Sequence, residues 1–206
     1  MNSSEKWTFF QAFLKSPRVV ASVIPSSSYV ERRIIAAADL AIASVVVEFG
    51  AGAGGTTRSL LNAMGPQARL LVIERTSEFV RNLQRIDDTR LCVVHGCASS
   101  IGAELERRGY PAADAVISGI PFSTLPETLA EEIVAAVHTA LGPGGRFVAY
   151  QFTDRVAHYV WPLMGAPEVE YELRNVPPLR VFTWRKESGS GTAANGRSEP
   201  GLSIWQ

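Results

Sequence analysis

Cysteine is scarce in this chain: Cys92 and Cys97 lie in one short segment, with no second pair and three histidines in the whole sequence. That argues against a disulfide framework and against a zinc site, and it suits a reducing compartment. An excess of charge of one sign is also lacking, because 20 Lys and Arg balance 20 Asp and Glu. No global field draws the chain to a polyanion, so any electrostatic partner must be met by a local patch. No stretch reaches 18 uncharged apolar residues, and the opening MNSSEKWTFFQAFLKSPR has neither a long apolar run nor a small-residue cleavage site. By these signs the chain neither crosses a bilayer as a helix nor carries a standard export signal, and a cytoplasmic setting is expected.

What is present is a folding composition, 46% hydrophobic and 19% charged over 206 residues, enough for one domain with a sizeable core. Apolar runs at residues 45–49, 70–73, 91–94, 115–117 and 147–150 look like buried parallel strands, and helix-type stretches at 56–64, 77–84, 101–108 and 125–141 lie between them. Gly142-Pro143-Gly144-Gly145 reads as the stop and turn after the last helix. This alternation predicts an α/β, doubly wound, Rossmann-like sheet. Beyond Tyr150 the rhythm changes. Residues 169–173 and 180–184 read as short strands around Arg174-Asn175-Val176-Pro177-Pro178, with no room for a full helix, so an antiparallel hairpin is expected at the sheet edge.

Upstream, Trp7, Phe10, Phe13 and Leu14 recur at helical spacing between Lys6 and Lys15, with Arg18 beyond, which predicts a basic amphipathic helix. A second helix over residues 29–43 is announced by Ser28 and Glu31, an S-x-x-E capping box. The Gly/Ser-rich residues 187–206 are expected to form a flexible tail. Residues 1–186 then make one domain, with 1–43 as a helical lid or membrane-contact segment.

The chemistry begins at Glu48-Phe49-Gly50-Ala51-Gly52-Ala53-Gly54, which follows a strand and opens a helix. Glycines there let the backbone turn sharply and approach a ligand. The loop also satisfies the dinucleotide pattern G-x-G-x-x-G through Gly50, Gly52 and Gly55, so a nicotinamide enzyme is a competing reading. Two features favour S-adenosylmethionine. Glu48 stands two residues before the first glycine, where a carboxylate organises the loop or reaches a ligand ammonium, and only one nucleotide-binding half precedes the edge hairpin. Glu74 then ends the second strand about 20 residues beyond the loop, where a carboxylate accepts both hydroxyls of a ribose. A loop tightened only for packing and a solvated strand-end glutamate are the bland alternatives. At the end of the third strand Cys97 stands where such enzymes often place a carboxylate for the adenine amine, which passes that contact to Ser99, Ser100 or backbone atoms.

With these residues the chain resembles the bacterial phospholipid N-methyltransferases, class I methyltransferases related to the rRNA adenine dimethyltransferases. The resemblance covers about residues 9–185. It rests on Ile24-Pro25-Ser26-Ser27, the glycine loop with Glu48, Ile73-Glu74, Ser118-Gly119-Ile120-Pro121-Phe122, Gly144-Gly145, Gln151-Phe152-Thr153 and Asn175-Val176-Pro177-Pro178-Leu179-Arg180-Val181. It implies a seven-stranded methyltransferase sheet, S-adenosylmethionine as cofactor, and no metal. It further implies methylation of the amino headgroup of phosphatidylethanolamine, up to three times, toward phosphatidylcholine, at the inner face of the membrane. The cofactor site is accordingly expected at Ile24, Pro25, Ser26, Glu48, Gly50, Ala51, Gly52, Gly54, Thr56, Glu74, Arg75, Cys97, Ala98 and Ser118. Tyr29, Gly119 and Pro121 are expected at the methyl acceptor, with Tyr29 orienting the amine and Tyr150, Gln151 and His158 as alternatives; His95 is a further strand-end candidate.

The rRNA relatives carry Asn-Leu/Ile-Pro-Tyr/Phe at the end of the fourth strand, and that Asn is suited to a base amine. Here Gly119 has its place, and the folded pattern ends near Lys186 without a further RNA-gripping domain, so nucleic acid is the weaker partner. A soluble small amine as acceptor, or a binding protein without turnover, are further readings. The segment 1–33 carries Lys6, Lys15, Arg18, Arg32 and Arg33 against Glu5 and Glu31, which adds an anionic membrane surface as an expected partner. Nothing in the sequence speaks to oligomeric state.

Overall fold

The β-branched and apolar runs pair into one sheet whose order is β3-β2-β1-β4-β5-β7-β6. The computed structural model describes residues 28–175 and 178–188. The expected amphipathic helix at residues 6–18, the positions Ile24, Pro25 and Ser26, the pair Val176-Pro177 and the tail from residue 189 lie outside the described residues. In chain order the elements are α1 (Ser28–Ala38), β1 (Val45–Phe49), α2 (Gly55–Ala63), β2 (Arg69–Glu74), α3 (Ser77–Leu83), β3 (Leu91–His95), α4 (Ile101–Arg107), β4 (Ala113–Ser118), α5 (Glu127–Ala140), β5 (Leu141–Gln151), α6 (Arg155–Met164), β6 (Glu168–Glu172) and β7 (Leu179–Arg185).

Strands β1 to β5 are parallel, while β7 runs antiparallel to both β5 and β6, which is the edge hairpin that the change of rhythm announces. Every residue of β1 is buried because helices cover both faces. Val45, Val47 and Phe49 join Ile101 and Leu105 of α4, Ile133 and Val137 of α5 and Val160 of α6 in one core. Val46 joins Val30 and Ile34 of α1 and Leu60 and Leu61 of α2 in the other. The strand order reverses between β1 and β4, which sets their carboxyl-end loops side by side. In an open α/β sheet this is the place where a ligand crevice forms.

Four sequence expectations need correction. Helix α1 stops at Ala38, short of Ala43, because Asp39 takes a left-handed backbone (φ +54°). Arg146 holds that stop, donating to the Ala37 carbonyl and to Asp39 Oδ2 at 3.0 Å each. At the other end of α1, Ser28 is already helical, and the Glu31 carboxylate accepts from Ser59 Oγ at 2.8 Å, joining α1 to α2. The Gly142–Gly145 stretch is not a free turn but runs within β5, where the register against β4 slips from Ala113↔Leu141 to Ala115↔Arg146. The end of α5 is met from another direction, by Lys186 Nζ donating to the His138 and Leu141 carbonyls at 2.7 and 2.6 Å. Finally, α6 is a helix that the rhythm did not announce. Val156, Tyr159 and Val160 give it a buried stripe, and Pro162 obscures the pattern but falls in the last turn before Gly165 ends the helix.

Helix α1 is tied to the hairpin through Glu172, a buried carboxylate at the end of β6. Its oxygens accept from Arg174 Nε at 2.7 Å and Arg33 Nε at 2.8 Å, while Glu170 forms a second ion pair with Arg33. The hydrogen bonds from Arg174 and then Arg33 hold the Glu172 carboxyl well below the usual carboxylate range. A carboxyl depressed in this way contributes stability above its unfolded value of 4.5 and loses it as the pH falls below that toward its folded value. Glu172→Gln is therefore expected to lower Tm at neutral pH, with the gap from wild type narrowing in melts recorded at progressively more acid pH. A gap of the same size at all pH values would show that the charge contributes nothing.

Candidate active site

At the carboxyl edge the loops after β1, β2, β3 and β4 enclose a cavity of about 430 Å³, within the size of small-molecule sites. Its floor is set by Gly50, which stands at φ +67° and donates its N–H to the Ile73 carbonyl at 3.2 Å. A Cβ there would come within 3.2 Å of Ile120 Cγ1, so both backbone and space call for glycine. The loop then closes through Gly54 N–H to Ala51 O at 3.0 Å, and α2 starts at Gly55.

Glu74 ends β2 in the cavity wall, buried, and both its oxygens accept backbone N–H groups. Oε2 takes Gly52 N–H at 3.1 Å and Oε1 takes Thr76 N–H at 2.8 Å. One carboxylate thereby fixes the glycine loop against the neighbouring strand end. Each oxygen has further acceptor capacity for a hydroxyl in the cavity.

Of the expected residues, Gly50, Ala51, Gly52, Thr56, Glu74, Arg75, Cys97, Ala98, Gly119 and Pro121 line the cavity together. Glu48, Gly54 and Ser118 are not among its described lining residues. Glu48 is fully buried and accepts from Thr57 Oγ1 at 2.7 Å, and its other oxygen has no hydrogen-bond partner among the described residues. Burial pushes the Glu48 carboxyl up to about 7, the Thr57 hydroxyl pulls it down, and the Glu74 charge adds to the rise. The Gly54 carbonyl is engaged by Arg58 at 2.9 Å, and the buried Ser118 Oγ accepts Ile120 N–H at 3.3 Å.

Tyr29, expected to orient the acceptor, lies elsewhere. Helix α1 turns Val30 and Ile34 onto the sheet, which leaves the Tyr29 ring exposed beside the hairpin, with Arg174 and Arg32 at 3.9 and 4.8 Å from its centroid. Among the alternatives, Tyr150 lines the cavity. Gln151 is buried behind it, His158 packs edge-on against Tyr159, and His95 Nε2 lies 3.0 Å from the Arg75 carbonyl at an exposed strand end. Ser99 and Ser100 turn back on Cys97, to its Sγ at 3.4 Å and its carbonyl at 2.8 Å, so Gly96, Cys97 and Ala98 face the cavity at this corner. The apolar wall of Phe79, Leu125, Leu129 and Ile133 was not foreseen, although the last three are spaced by four, Leu125 just before α5 and Leu129 and Ile133 within it.

No family model matches the chain. Its sequence is 30% identical over 187 residues to an ornithine lipid N-methyltransferase of Singulisphaera acidiphila, covering 87% of this chain and 96% of that protein. In fold it is similar to the O-methyltransferase TomG of Streptomyces achromogenes, solved in complex with S-adenosylmethionine, with a TM-score of 0.63, 15% identity and 92% of each chain covered. TrmN of Thermus thermophilus has a similar fold, with a TM-score of 0.66 and 15% identity over 83% of this chain and 53% of that chain.

Two outcomes test the two carboxylates at this end of the sheet. Glu74→Ala removes a charged acceptor, and such bonds contribute about 1.5–3 kcal/mol. Calorimetry should then find S-adenosylhomocysteine bound about 10- to 150-fold more weakly; unchanged affinity would place the ligand elsewhere. Glu48→Gln mimics the protonated acid. A carboxyl raised on folding favours the fold below its unfolded value of 4.5 and loses that contribution as the pH rises to about 7. Thermal melts of the ligand-free protein should show the stability of Glu48→Gln rising relative to wild type across that interval, and a pH-independent difference would contradict the burial of a charge there.

Proposed function

The chain belongs to the bacterial lipid N-methyltransferase family, class I enzymes that depend on S-adenosylmethionine, and from that premise we propose that it methylates the primary amine of an aminolipid headgroup. Phosphatidylethanolamine and ornithine lipid both present such an amine. The described residues fit the cofactor: the Gly50 to Gly52 turn and the start of α2 would hold its amino-acid end, Glu74 its ribose, and Cys97 and Ala98 its adenine side. When bound, S-adenosylmethionine supplies a methyl group on a sulfonium sulfur, which keeps the C–S electron pair as the new N–C bond forms.

One observation carries the choice of acceptor. The end of β4, Gly119-Ile120-Pro121, meets the cavity without a side-chain amide, and an amide is what pairs with the amine of a planar base. An alkyl amine asks for less, since positioning beside the methyl group supplies most of the rate. It must, however, be neutral. With an ordinary pKa of about 10.4 for an alkyl ammonium, it is helped by an apolar surrounding, which disfavours the charged form. Ile120, Pro121, Leu125 and Leu129 supply apolar wall in the cavity.

A lipid substrate also requires access to a membrane. Among the described residues no helix is long and apolar enough to cross one. The sequence of residues 6–18, with Lys6, Lys15 and Arg18 beside Trp7, Phe10, Phe13 and Leu14, supports contact with an anionic surface, at about 1 kcal/mol for each basic residue.

Cells expressing the chain should accumulate phosphatidylethanolamine or ornithine lipid made heavier by one or more methyl groups, read by mass spectrometry. The purified chain should float with anionic vesicles and lose that binding in Lys6→Glu/Lys15→Glu. An unchanged lipid profile beside newly methylated rRNA adenine would overturn the proposal.

A further inference from the structure

The carboxyl end of β4 is built around a missing side chain. A Cβ on Gly119 would lie 2.3 Å from Tyr150 Oη, 2.8 Å from its Cζ and 3.2 Å from the Gly50 carbonyl oxygen. No side chain fits there while the phenol is in place. The Tyr150 hydroxyl thus fills the space into which residue 119 would otherwise project, and the polar group at this strand end comes from β5 instead.

That position is fixed from several sides. Parallel pairing matches Ile117 with Val148 and Ser118 with Ala149, which brings Tyr150 level with Gly119 one step on. On its other flank Tyr150 pairs with Val181 of β7. Gly119 in turn donates its N–H to the Phe49 carbonyl at 3.0 Å. The next side chain, Gln151, clamps the loop after β4, its Nε2 donating to Ile120 O at 2.7 Å and its Oε1 accepting Phe122 N–H at 3.3 Å. The loop cannot retreat without breaking these bonds, and the backbone from which the phenol projects is held between β4 and β7.

The chemistry around the hydroxyl narrows its use. Among the described lining residues, the other polar side chains, Thr56, Arg58, Glu74, Arg75, Thr76 and Cys97, all come from the ends of the first three strands and the helices that follow. On the β4–β5 side Tyr150 stands beside Gly119, Ile120 and Pro121. A phenol oxygen can accept a hydrogen bond, and Ile120 and Pro121 beside it are apolar.

We propose that Tyr150 is a catalytic residue that receives the acceptor amine. Its oxygen accepts a hydrogen bond from an amine N–H, which orients the nitrogen and leaves the lone pair free for the methyl group. This rests on the aminolipid reading above and deepens it. Gly119 and Tyr150 act as one unit, because an asparagine suited to a base cannot be built at 119 while the phenol stands at 150. The contact needs an N–H on the acceptor. A neutral primary amine has two, a monomethylated one has one, and a dimethylated one has none, so Tyr150 serves the early transfers and not the last.

The test uses the full chain and anionic vesicles carrying either phosphatidylethanolamine or its N,N-dimethyl derivative. Tyr150→Phe should lower kcat on the primary amine about 100-fold and on the dimethyl amine by no more than about 3-fold, since lost orientation costs on the order of 100-fold. S-adenosylhomocysteine affinity, read by calorimetry, should stay at the wild-type value. Equal losses on both lipids, or a loss of S-adenosylhomocysteine binding, would make Tyr150 structural and overturn the proposal. A second readout needs no turnover: Gly119→Ala should lower Tm strongly beside Tyr150 and much less in a Tyr150→Ala background. Equal shifts in the two backgrounds would refute the shared space. A wild-type chain that methylates neither these lipids nor ornithine lipid, with the melting cycle behaving as stated, would overturn the substrate reading and with it the role toward an amine, while leaving the packing of Gly119 on Tyr150 intact.

Discussion

Three parallel strands end at nearly one level, and a glycine beyond each donates its N–H to a neighbouring strand: Gly50 to Ile73 O, Gly96 to Glu74 O and Gly119 to Phe49 O, at 3.2, 3.0 and 3.0 Å. This extension of the ladder past the strands is what the site depends on. It keeps the backbone flat and low at the sheet edge, so that the cavity opens directly onto main chain. It also sets Glu74 beside the glycine loop, where its carboxylate can hold Gly52 and Thr76 at once. A side chain at Gly50 would press on Ile120 from a left-handed backbone, and at Gly119 one would collide with Tyr150.

Two carboxylates near this edge have opposite circumstances. Glu74 spends its charge on two backbone N–H groups in the cavity wall. Glu48, one strand away and fully buried, has one hydroxyl for a partner and is pushed up to about 7 by its burial. The protein thus carries a poorly compensated acid directly before its glycine loop, a cost that suits the positively charged ligand proposed above. Farther out, Glu172 takes the reverse course, with Arg174 and Arg33 satisfying it completely enough to fasten α1 to the edge hairpin.

Much of this is legible in the sequence, and the limits have physical causes. The buried strands, the glycine loop and Glu74 announce themselves through local composition, since a strand covered on both faces must be apolar throughout and a tight turn must have glycine. The edge hairpin follows from the change of rhythm after Tyr150. What is decided by contacts distant in sequence is harder to read. Tyr29 seemed suited to the acceptor because it follows Pro25-Ser26-Ser27, yet the buried stripe of α1 aims it at Arg174 instead. Tyr150 gains its place from the β4–β5 register, which no local pattern reveals, although an unexpected glycine at 119 is the mark that such a partner leaves. Helix α6 was missed because Pro162 interrupts a short stripe, and the proline is tolerated because the helix is already ending.

The most direct measurement is a single incubation of the purified full chain with methyl-labelled S-adenosylmethionine, aminolipid vesicles and ribosomal RNA, followed by separation of the lipid and RNA fractions. The label should appear on the headgroup amine of the lipid and not in the RNA. Label in the RNA, or in neither fraction while S-adenosylmethionine is bound, would contradict a cavity built for an alkyl amine.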